Sequence, residues 1–571
     1  MMKEQAIPEE VQVLSRQAIP LSSAPRYPGL EERAYVLPRG YRHFSGAMPL
    51  VCDVLVEQDV AVTLRDGIVI RVDVFRPVDR TDCPAIVAWS PYGKRGGLLT
   101  NDFFGHPTRM DVPVCWEDGL NKFEGPNPSY WVAHGYAVIA PDPRGCFNSE
   151  GDIRAWGKGE AEDEYDLIEW VASRPWSNGK VGLSGNSWLA MTQWSVAALR
   201  PPHLAAIAPW EGAHDIYRET MARGGIPDTV FPAGIFACLP GKGRIEDPVA
   251  MVSAHPRFDQ YWASKVADLS SIDVPAYVVA SWTNLLHTTG SIAGWRGIHS
   301  KQKWLRVHNT HEWTDYYSPD SVEDLRRFFD RFLKGIDNDW EATPAVRLSI
   351  LDPGRRDTVG RAESDFPLAR QKFVPFHLSI GEQCGQLASV PQQHEVSCTY
   401  DSSDLRGATF RVTFDREIEV TGYLKLKLWV EALDHDDMDL FAVIRKLDRA
   451  GLPVEPVVVT ERTHPGPNGR LRVSMRKLCK ERSLESEPFH VFDEEQKLAR
   501  GTVVPVEIGF WPYAMRWHAG DTMELWIGGK DVLKRPEFPG LPPVHTVNLG
   551  RHSIHVGGKY DSYLLMPMIG Q

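Results

Sequence analysis

The 571-residue sequence is poor in cysteine, has no apolar run long enough for a membrane helix, and has no excess of basic charge. Its 8 cysteines form no CxxC pair and no zinc-like spacing, which argues against metal and redox roles. The longest apolar runs, such as residues 276–282, have strand length, whereas a membrane helix needs about 20 apolar residues. Lys and Arg number 63 against 75 Asp and Glu, and the net charge of -12 disfavours nucleic acid and anionic membranes as partners.

The N-terminal residues 1–12 lack the basic and apolar segments of a secretory signal, so we expect a cytoplasmic protein. Hydrophobic residues make up 43% and charged residues 24% of the chain, which is typical of folded globular proteins and excludes a disordered one. The length favours three or four compact units.

Short apolar runs alternate with helical patterns between about residues 85 and 333, and this alternation predicts a parallel α/β sheet. Later segments lose the helical period and alternate as strands, which predicts an all-β domain. We therefore divide the chain into an N-terminal arm (1–50), an α/β core in two parts (51–210 and 272–342), a helical cap (211–271) and a C-terminal β-sandwich (343–571).

The most informative segment is residues 180–190, where a strand, a turn of small residues and a helix follow one another. Such a strand-turn-helix unit is the context of a nucleophile elbow, in which a serine hydroxyl is exposed on a tight turn. Ser187 is therefore the candidate nucleophile. The common G-x-S-x-G form is not met, because Trp188 and Leu189 follow the serine.

Two later segments fit the chain order nucleophile, acid, histidine. Asn284 follows the apolar run 276–281 at the place of the acid, and His311 follows the run 304–307 and is the candidate base. His287 and His308 are weaker rivals of His311.

Several motifs together resemble the family of cocaine esterase, α-amino-acid ester hydrolases, glutaryl acylases and X-prolyl dipeptidyl peptidases, over about residues 56–571. The motifs are Arg65-Asp66-Gly67, Ser90-Pro91-Tyr92-Gly93-Lys94, Asp142-Pro143-Arg144-Gly145, residues 174–180, the Ser187 elbow, Val420-Thr421-Gly422, Trp511-Pro512 and residues 560–567.

This resemblance implies an α/β-hydrolase core with an inserted cap, followed by a jelly-roll domain. It implies that Ser187 attacks an acyl carbonyl and that His311 takes and returns the proton. The Tyr92 hydroxyl and the Trp188 backbone N–H would hold the oxyanion. The substrate would be a small acyl compound, with no cofactor and no metal.

The sequence departs from the family at Asn284, where the resemblance calls for Asp. An Asn can orient a histidine but supplies no negative charge to its imidazolium, and Asp315 and Glu312 are the nearest alternative acids. We expect a serine hydrolase that cleaves a carboxylic ester, or less readily an amide or peptide.

Four alternatives to hydrolysis stay open on the same fold. The site could perform acyl transfer, a lyase step or C–C bond cleavage, or the protein could be a catalytically silent ligand-binding homologue. A homo-oligomer formed through the β domain is also an open alternative.

Overall fold

Strand-length apolar runs build the parallel part of the first sheet. The structure is a computed structural model, and it describes residues 11–24, 29–97, 111–284, 286–381, 385–456, 466–531, 544 and 546–570. In this sheet the strands are β2 (Arg33–Leu37), β3 (Val54–Thr63), β4 (Val69–Pro77), β5 (Cys83–Val87), β6 (Ala137–Asp142), β7 (Ser177–Asn186), β8 (Leu204–Trp210), β10 (Ala276–Ser281), β11 (Lys303–His308), β12 (Val346–Ile350) and β13 (Thr358–Glu363). Two short strands, β1 (Ser15–Gln17) and β9 (Arg244–Glu246), pair with each other apart from this sheet.

The strand order is β13-β12-β11-β10-β8-β7-β5-β6-β4-β3-β2 among the described residues. Neighbouring strands from β6 to β12 are parallel, and the remaining strands at both edges are antiparallel. The turn at Asp66-Gly67 joins β3 and β4 as a hairpin, as the sequence predicts. The α/β fold class is thereby confirmed.

Helices cover the parallel strands and fill the segment after β8. The helices are α1 (Pro128–Ala133), α2 (Lys158–Ala172), α3 (Trp188–Ala198), α4 (Val230–Phe236), α5 (Pro248–Ala254), α6 (Gln260–Ala263), α7 (Thr288–Gly297), α8 (Glu312–Tyr317) and α9 (Pro319–Lys334). Short 3-10 and π turns add to them at Leu21–Ser23, Val114–Trp116, Tyr217–Met221, Arg223–Gly225, Leu269–Ser271, Trp340–Ala342 and Val473–Met475.

The amphipathic helix α9 shows why these helices pack where they do. It begins at the N-cap Ser318, whose side chain accepts from the Ser321 N–H, and ends at Gly335, which adopts φ 72°. Its apolar face carries Phe328 and Phe329, both fully buried. Burying such a face stabilises the helix more than its intrinsic propensity does.

A second, all-strand region follows. Its strands are β14 (Gln371–Ile380), β15 (Gly385–Ala388), β16 (Val396–Asp401), β17 (Ala408–Thr413), β18 (Ile418–Gly422), β19 (Lys425–Ala432), β20 (Asp439–Leu447), β21 (Asn468–Arg472), β22 (Val504–Gly509), β23 (Tyr513–Trp517), β24 (Thr522–Gly528), β25 (Arg551–Val556) and β26 (Tyr563–Ile569). In β19, Leu426 and Leu428 are fully buried whereas Lys427 is partly exposed, as the alternation predicts. The jelly-roll topology itself stays a prediction.

The first sheet includes strands on both sides of the expected domain boundary at residue 343. Strands β12 and β13 lie beyond it, yet they pair with β11 and with each other and so extend the first sheet. Strand β2, in the expected arm, pairs with β3 as the opposite edge, and β1 pairs with β9 after the cap helix α4. The first sheet therefore includes strands that lie before and after the segment assigned to the core.

Two further findings concern the described residues. None of their helices combines the length and apolar character that crossing a membrane requires. Their cysteines are all free thiols, and the eighth, Cys384, lies outside the described part of the chain.

Candidate active site

Ser187 lies at the turn between β7 and α3, in a backbone conformation that few residues adopt. Its φ and ψ are 55° and -119°, and its N–H donates to the Glu211 carbonyl over 3.0 Å. A Cβ at Gly185 would come within 2.3 Å of the Leu189 side chain, so the turn requires a glycine there. This strained turn, with small residues where chains approach closely, is the geometry of a nucleophile elbow.

The imidazole that faces Ser187 belongs to His287. Its Nε2 lies 3.2 Å from the Ser187 Oγ, in a partly buried contact. Burial lowers the pKa of His287 to about 3, so the ring is neutral. In the tautomer with its proton on Nδ1, the Nε2 can accept the serine proton. Its Nδ1 is buried and has no hydrogen-bond partner within the described residues.

Tyr92 contacts the nucleophile from the loop after β5. Its hydroxyl is hydrogen-bonded to Ser187, and burial together with the nearby Glu124 raises the pKa of Tyr92 well above its ordinary value. The phenol therefore stays protonated and keeps a hydrogen-bond donor beside the nucleophile. Trp188 is the first residue of α3, so its backbone N–H has no intrahelical partner and is available to an oxyanion.

His311, the base expected from the sequence, lies after β11 as predicted, but its hydrogen-bond acceptor is Nδ1 and not Nε2. Its Nδ1 accepts a hydrogen bond from the Trp313 N–H over 3.1 Å, which places the ring proton on Nε2. That Nε2 is buried and unpartnered within the described residues. A triad base does the opposite, because it donates from Nδ1 and accepts at Nε2. In this structure the imidazole that is hydrogen-bonded to Ser187 is that of His287, and the role of His311 as the base stays a prediction.

Asn284 follows β10 at the expected place, but it does not orient His311. Its Nδ2 donates to two carboxylates, Glu211 at 2.7 Å and Glu312 at 2.9 Å. Its Oδ1 accepts from the backbone N–H of Leu286 at 2.9 Å and of His287 at 3.2 Å. Asn284 therefore fixes the loop that carries His287, and an Asp could not donate to its two acidic neighbours.

Asp315, the alternative acid, is engaged elsewhere. Its two oxygens accept from the Arg306 guanidinium at 2.9 and 2.5 Å, and from the Trp210 indole at 3.0 Å. Although burial opposes it, Arg306 lowers the pKa of Asp315. The nearest histidine is His308, at 3.6 Å. Asp315 thus forms an ion pair with Arg306, and within the described residues no hydrogen bond joins its carboxylate to the His311 ring. Its role as the acid stays a prediction. Glu312, the other alternative, contacts Asn284 instead.

The sequence reasoning missed Glu211 and Glu124. Glu211 follows β8 directly and is fully buried, and its Oε1 pairs with His308 Nε2 at 2.5 Å. Burial and the nearby Glu211 raise the pKa of Glu124 to about 8, and the same causes raise that of Glu312 well above its ordinary range. The position of Glu211 at a strand's carboxyl end was the available signal, because such ends gather the loops of an α/β site.

An apolar cavity of about 20 Å³ lies beside Ser187. Tyr92 and His287 line it at the nucleophile, and aromatic side chains form much of the remaining wall, among them Trp156, Trp188 and Phe236. No acidic residue of the described chain lines this cavity. No cluster of His, Cys, Asp and Glu within the described ranges could hold a metal ion either.

Comparisons with known proteins agree with this architecture. The family model of the X-Pro dipeptidyl-peptidase (S15 family) matches residues 66–234, and that of the X-Pro dipeptidyl-peptidase C-terminal non-catalytic domain matches residues 338–565. The crystal structure of a CocE/NonD family hydrolase from Staphylococcus aureus is 35% identical, with a TM-score of 0.87, covering 98% of this chain and 99% of that one. An α-amino-acid ester hydrolase structure shares the fold at 16% identity and a TM-score of 0.66, covering 90% of this chain and 96% of that one.

Among curated proteins, the cocaine esterase of a Rhodococcus strain is 26% identical over 57% of this chain and 62% of its own length. A putative serine esterase of Mycobacterium bovis is 29% identical over 29% of this chain and 26% of its own length. The matches thus span less than two thirds of these relatives. Fold, elbow and relatives together define a serine hydrolase with an α/β core. The chain belongs to the CocE/NonD hydrolase family.

Proposed function

We propose that the protein hydrolyses a carboxylic ester through an acyl-enzyme on Ser187. The Oγ attacks the ester carbonyl carbon while its proton passes to His287 Nε2. The Tyr92 hydroxyl and the Trp188 N–H donate to the oxyanion. As the tetrahedral intermediate collapses, the C–O bond to the alcohol breaks and the alcohol takes the proton from His287. A water molecule then repeats the sequence and releases the acid.

The contact that carries the proposal is the 3.2 Å approach of His287 Nε2 to Ser187 Oγ, with Tyr92 bonded to the same hydroxyl. It supports an activated serine in which donor and acceptor roles are consistent, because Tyr92 is protonated and His287 is neutral. The chain of hydrogen bonds runs from Tyr92 to Ser187 to His287.

Esters are favoured over amides because, within the described residues, no carboxylate accepts a hydrogen bond from His287 Nδ1. Loss of the acid from a serine-protease triad costs about 10⁴ in turnover, since the imidazolium is left without a counter-charge. An alcohol or phenol leaves with less help from the imidazolium than an amine does. The unpartnered His287 Nδ1 therefore supports a substrate with a good leaving group.

The acyl part of the substrate should be apolar and uncharged. The cavity beside Ser187 is walled by aromatic and aliphatic side chains, and a buried charge without a partner would cost several kcal/mol. A peptide N-terminus would bring an ammonium group into this cavity with no acidic side chain lining it. We therefore propose esters of hydrophobic carboxylic acids as the substrate class.

The test is intact-mass labelling with a fluorophosphonate, which reports an activated serine without knowledge of the substrate. We expect one equivalent of label on the parent, none on Ser187→Ala, and undiminished labelling of Ser184→Ala. Ser184 is the matched control because it lies on the same strand, bonded to the Tyr316 hydroxyl at 2.9 Å. An unlabelled parent would overturn the proposal and support the silent ligand-binding alternative. If the parent is labelled, the rate of hydrolysis of p-nitrophenyl esters is compared with the rate of acyl transfer.

A further inference from the structure

One carboxylate oxygen joins two tryptophans that lie far apart in the sequence. The Glu160 Oε1 accepts from the Trp89 indole N–H and from the Trp188 indole N–H, each at 2.9 Å. Glu160 lies in the first turn of α2 and is 4% exposed. Both indoles are almost fully buried as well, so these two hydrogen bonds form away from water.

Each tryptophan belongs to one wall of the oxyanion hole proposed above. Trp188 supplies the backbone N–H donor at the start of α3. Trp89 lies two residues beyond the end of β5 and begins the loop that carries Tyr92, the hydroxyl donor. The two walls are separate in the chain, and Glu160 is bonded to both.

The indole of Trp188 also contacts Tyr92 directly. The two rings meet edge to face, with centroids 6.0 Å apart and planes at 78°. The Trp188 ring also packs on Trp156, with ring centroids 4.8 Å apart, and Trp156 lines the cavity beside Ser187. A rotation of the Trp188 indole would therefore displace a donor side chain and the cavity wall together.

We propose that Glu160 is a positioning residue for the oxyanion hole, holding Trp89 and Trp188 so that the Tyr92 hydroxyl and the Trp188 N–H converge on one oxygen. The proposal rests on the function proposed above. Glu160 touches neither the nucleophile nor the substrate in this role. It acts by fixing two loops at one point, and precise placement of donors is what makes an oxyanion hole effective.

The test uses the fluorophosphonate probe, with its maximal labelling rate (kinact) and its binding constant (KI) measured separately. Glu160→Ala removes the common acceptor, so we expect kinact to fall about 10- to 100-fold while KI changes less than about 3-fold. This fall in kinact is smaller than the effect of losing a donor outright, which is about 100-fold or more. Glu160→Gln keeps a carbonyl oxygen at the same place and should retain kinact within about 3-fold.

Glu164→Gln is the matched control. Glu164 lies one turn further along α2 and is almost fully buried. In the described part of the chain it forms no hydrogen bond with either indole. Its kinact should equal that of the parent. A merely structural role of Glu160 would lower the thermal midpoint of Glu160→Ala and leave kinact of the folded fraction unchanged, which would overturn the proposal.

Should Glu160→Ala fail to fold, Trp89→Phe and Trp188→Phe carry the test, because each removes one indole N–H and keeps an aromatic ring and every backbone donor. Lower kinact in either variant supports the proposal, and parental kinact in both refutes it. An unlabelled parent, by contrast, would refute the proposed function itself, so the two failures are distinguishable.

Discussion

His287 Nε2 lies 3.2 Å from Ser187 Oγ, and no carboxylate of the described residues accepts from the opposite nitrogen of the ring. In the proposed mechanism Ser187 is the nucleophile and His287 the base, and no acid of a full triad lies behind the base within the described residues. Burial lowers the pKa of His287 to about 3, so the base is unprotonated throughout the physiological range.

The first prediction separates the two histidines. His287→Ala should slow fluorophosphonate labelling of Ser187 by at least about 100-fold, because general-base catalysis contributes 10²- to 10⁴-fold. His311→Ala should change it less than about 10-fold, since the His311 ring carries its proton on Nε2. The rates are measured by intact mass at equal folded concentration. The reverse order of effects would assign the role of base to His311 and require its imidazole ring to be flipped, so that Nε2 becomes the acceptor.

The second prediction concerns the missing acid. Asn284→Asp should fail to raise esterase activity and should lower the free energy of unfolding by about 3–5 kcal/mol, because it replaces a shared donor by a third buried carboxylate. Thermal unfolding and p-nitrophenyl ester turnover measure the two effects.

A second substitution provides the control for this prediction. Asn284→Asp with Glu312→Gln gives the new carboxylate an amide donor, and it should recover at least half of the lost stability. Higher turnover in Asn284→Asp alone would instead show that position 284 serves the base as a triad acid.

The strand-turn-helix unit at Ser187 could be predicted from sequence because it is local. Ser187 follows a strand and precedes a helix, and Gly185 at φ 143° permits the close contact with Leu189. Such a unit needs only neighbouring residues. The parallel strands were predictable for the same reason, since each is a short apolar run between helices.

Which histidine contacts Ser187 could not be predicted from neighbouring residues alone. His311 and His287 both follow late strands, and their ring orientations depend on contacts that only the fold creates. His311 precedes α8 and its Nδ1 caps that helix through the Trp313 N–H. The partners of Asn284 come from the ends of two other segments, Glu211 after β8 and Glu312 in α8.

The third prediction concerns acyl-chain length. Phe236 is buried against Trp156 and Trp188, with ring centroids 5.2 and 5.6 Å away, and closes the cavity beside Ser187. Phe236→Leu should enlarge the cavity and raise the kcat/KM ratio of p-nitrophenyl octanoate to acetate about 3- to 10-fold.

Phe328→Leu is the matched control, because Phe328 is equally buried in α9 but packs on Trp304 and Trp340 away from the cavity. It should lower stability and leave the ratio at the parental value. An unchanged ratio in Phe236→Leu would show that the acyl chain lies elsewhere.

The last prediction follows from Glu124. Burial and the nearby Glu211 raise the pKa of Glu124 to about 8, far above the ordinary value of about 4.5. Between these two values the folded protein holds a proton that the unfolded chain releases, so this group stabilises the fold at low pH and loses that contribution as pH rises toward 8. Glu124→Gln cannot release a proton and keeps an oxygen for the Trp313 indole, which donates to Oε1 at 2.9 Å.

The stability of the parent should therefore fall relative to Glu124→Gln by up to about 1.4 kcal/mol per pH unit between roughly pH 5 and 8. Thermal or urea unfolding at several pH values measures the difference, with the exposed Glu395→Gln as the control that should follow the parent. Parallel pH profiles for the parent and Glu124→Gln would mean that Glu124 is ionised in the folded protein. Glu124 would then place a negative charge close to the Tyr92 hydroxyl, where it opposes the oxyanion that the tyrosine is proposed to bind.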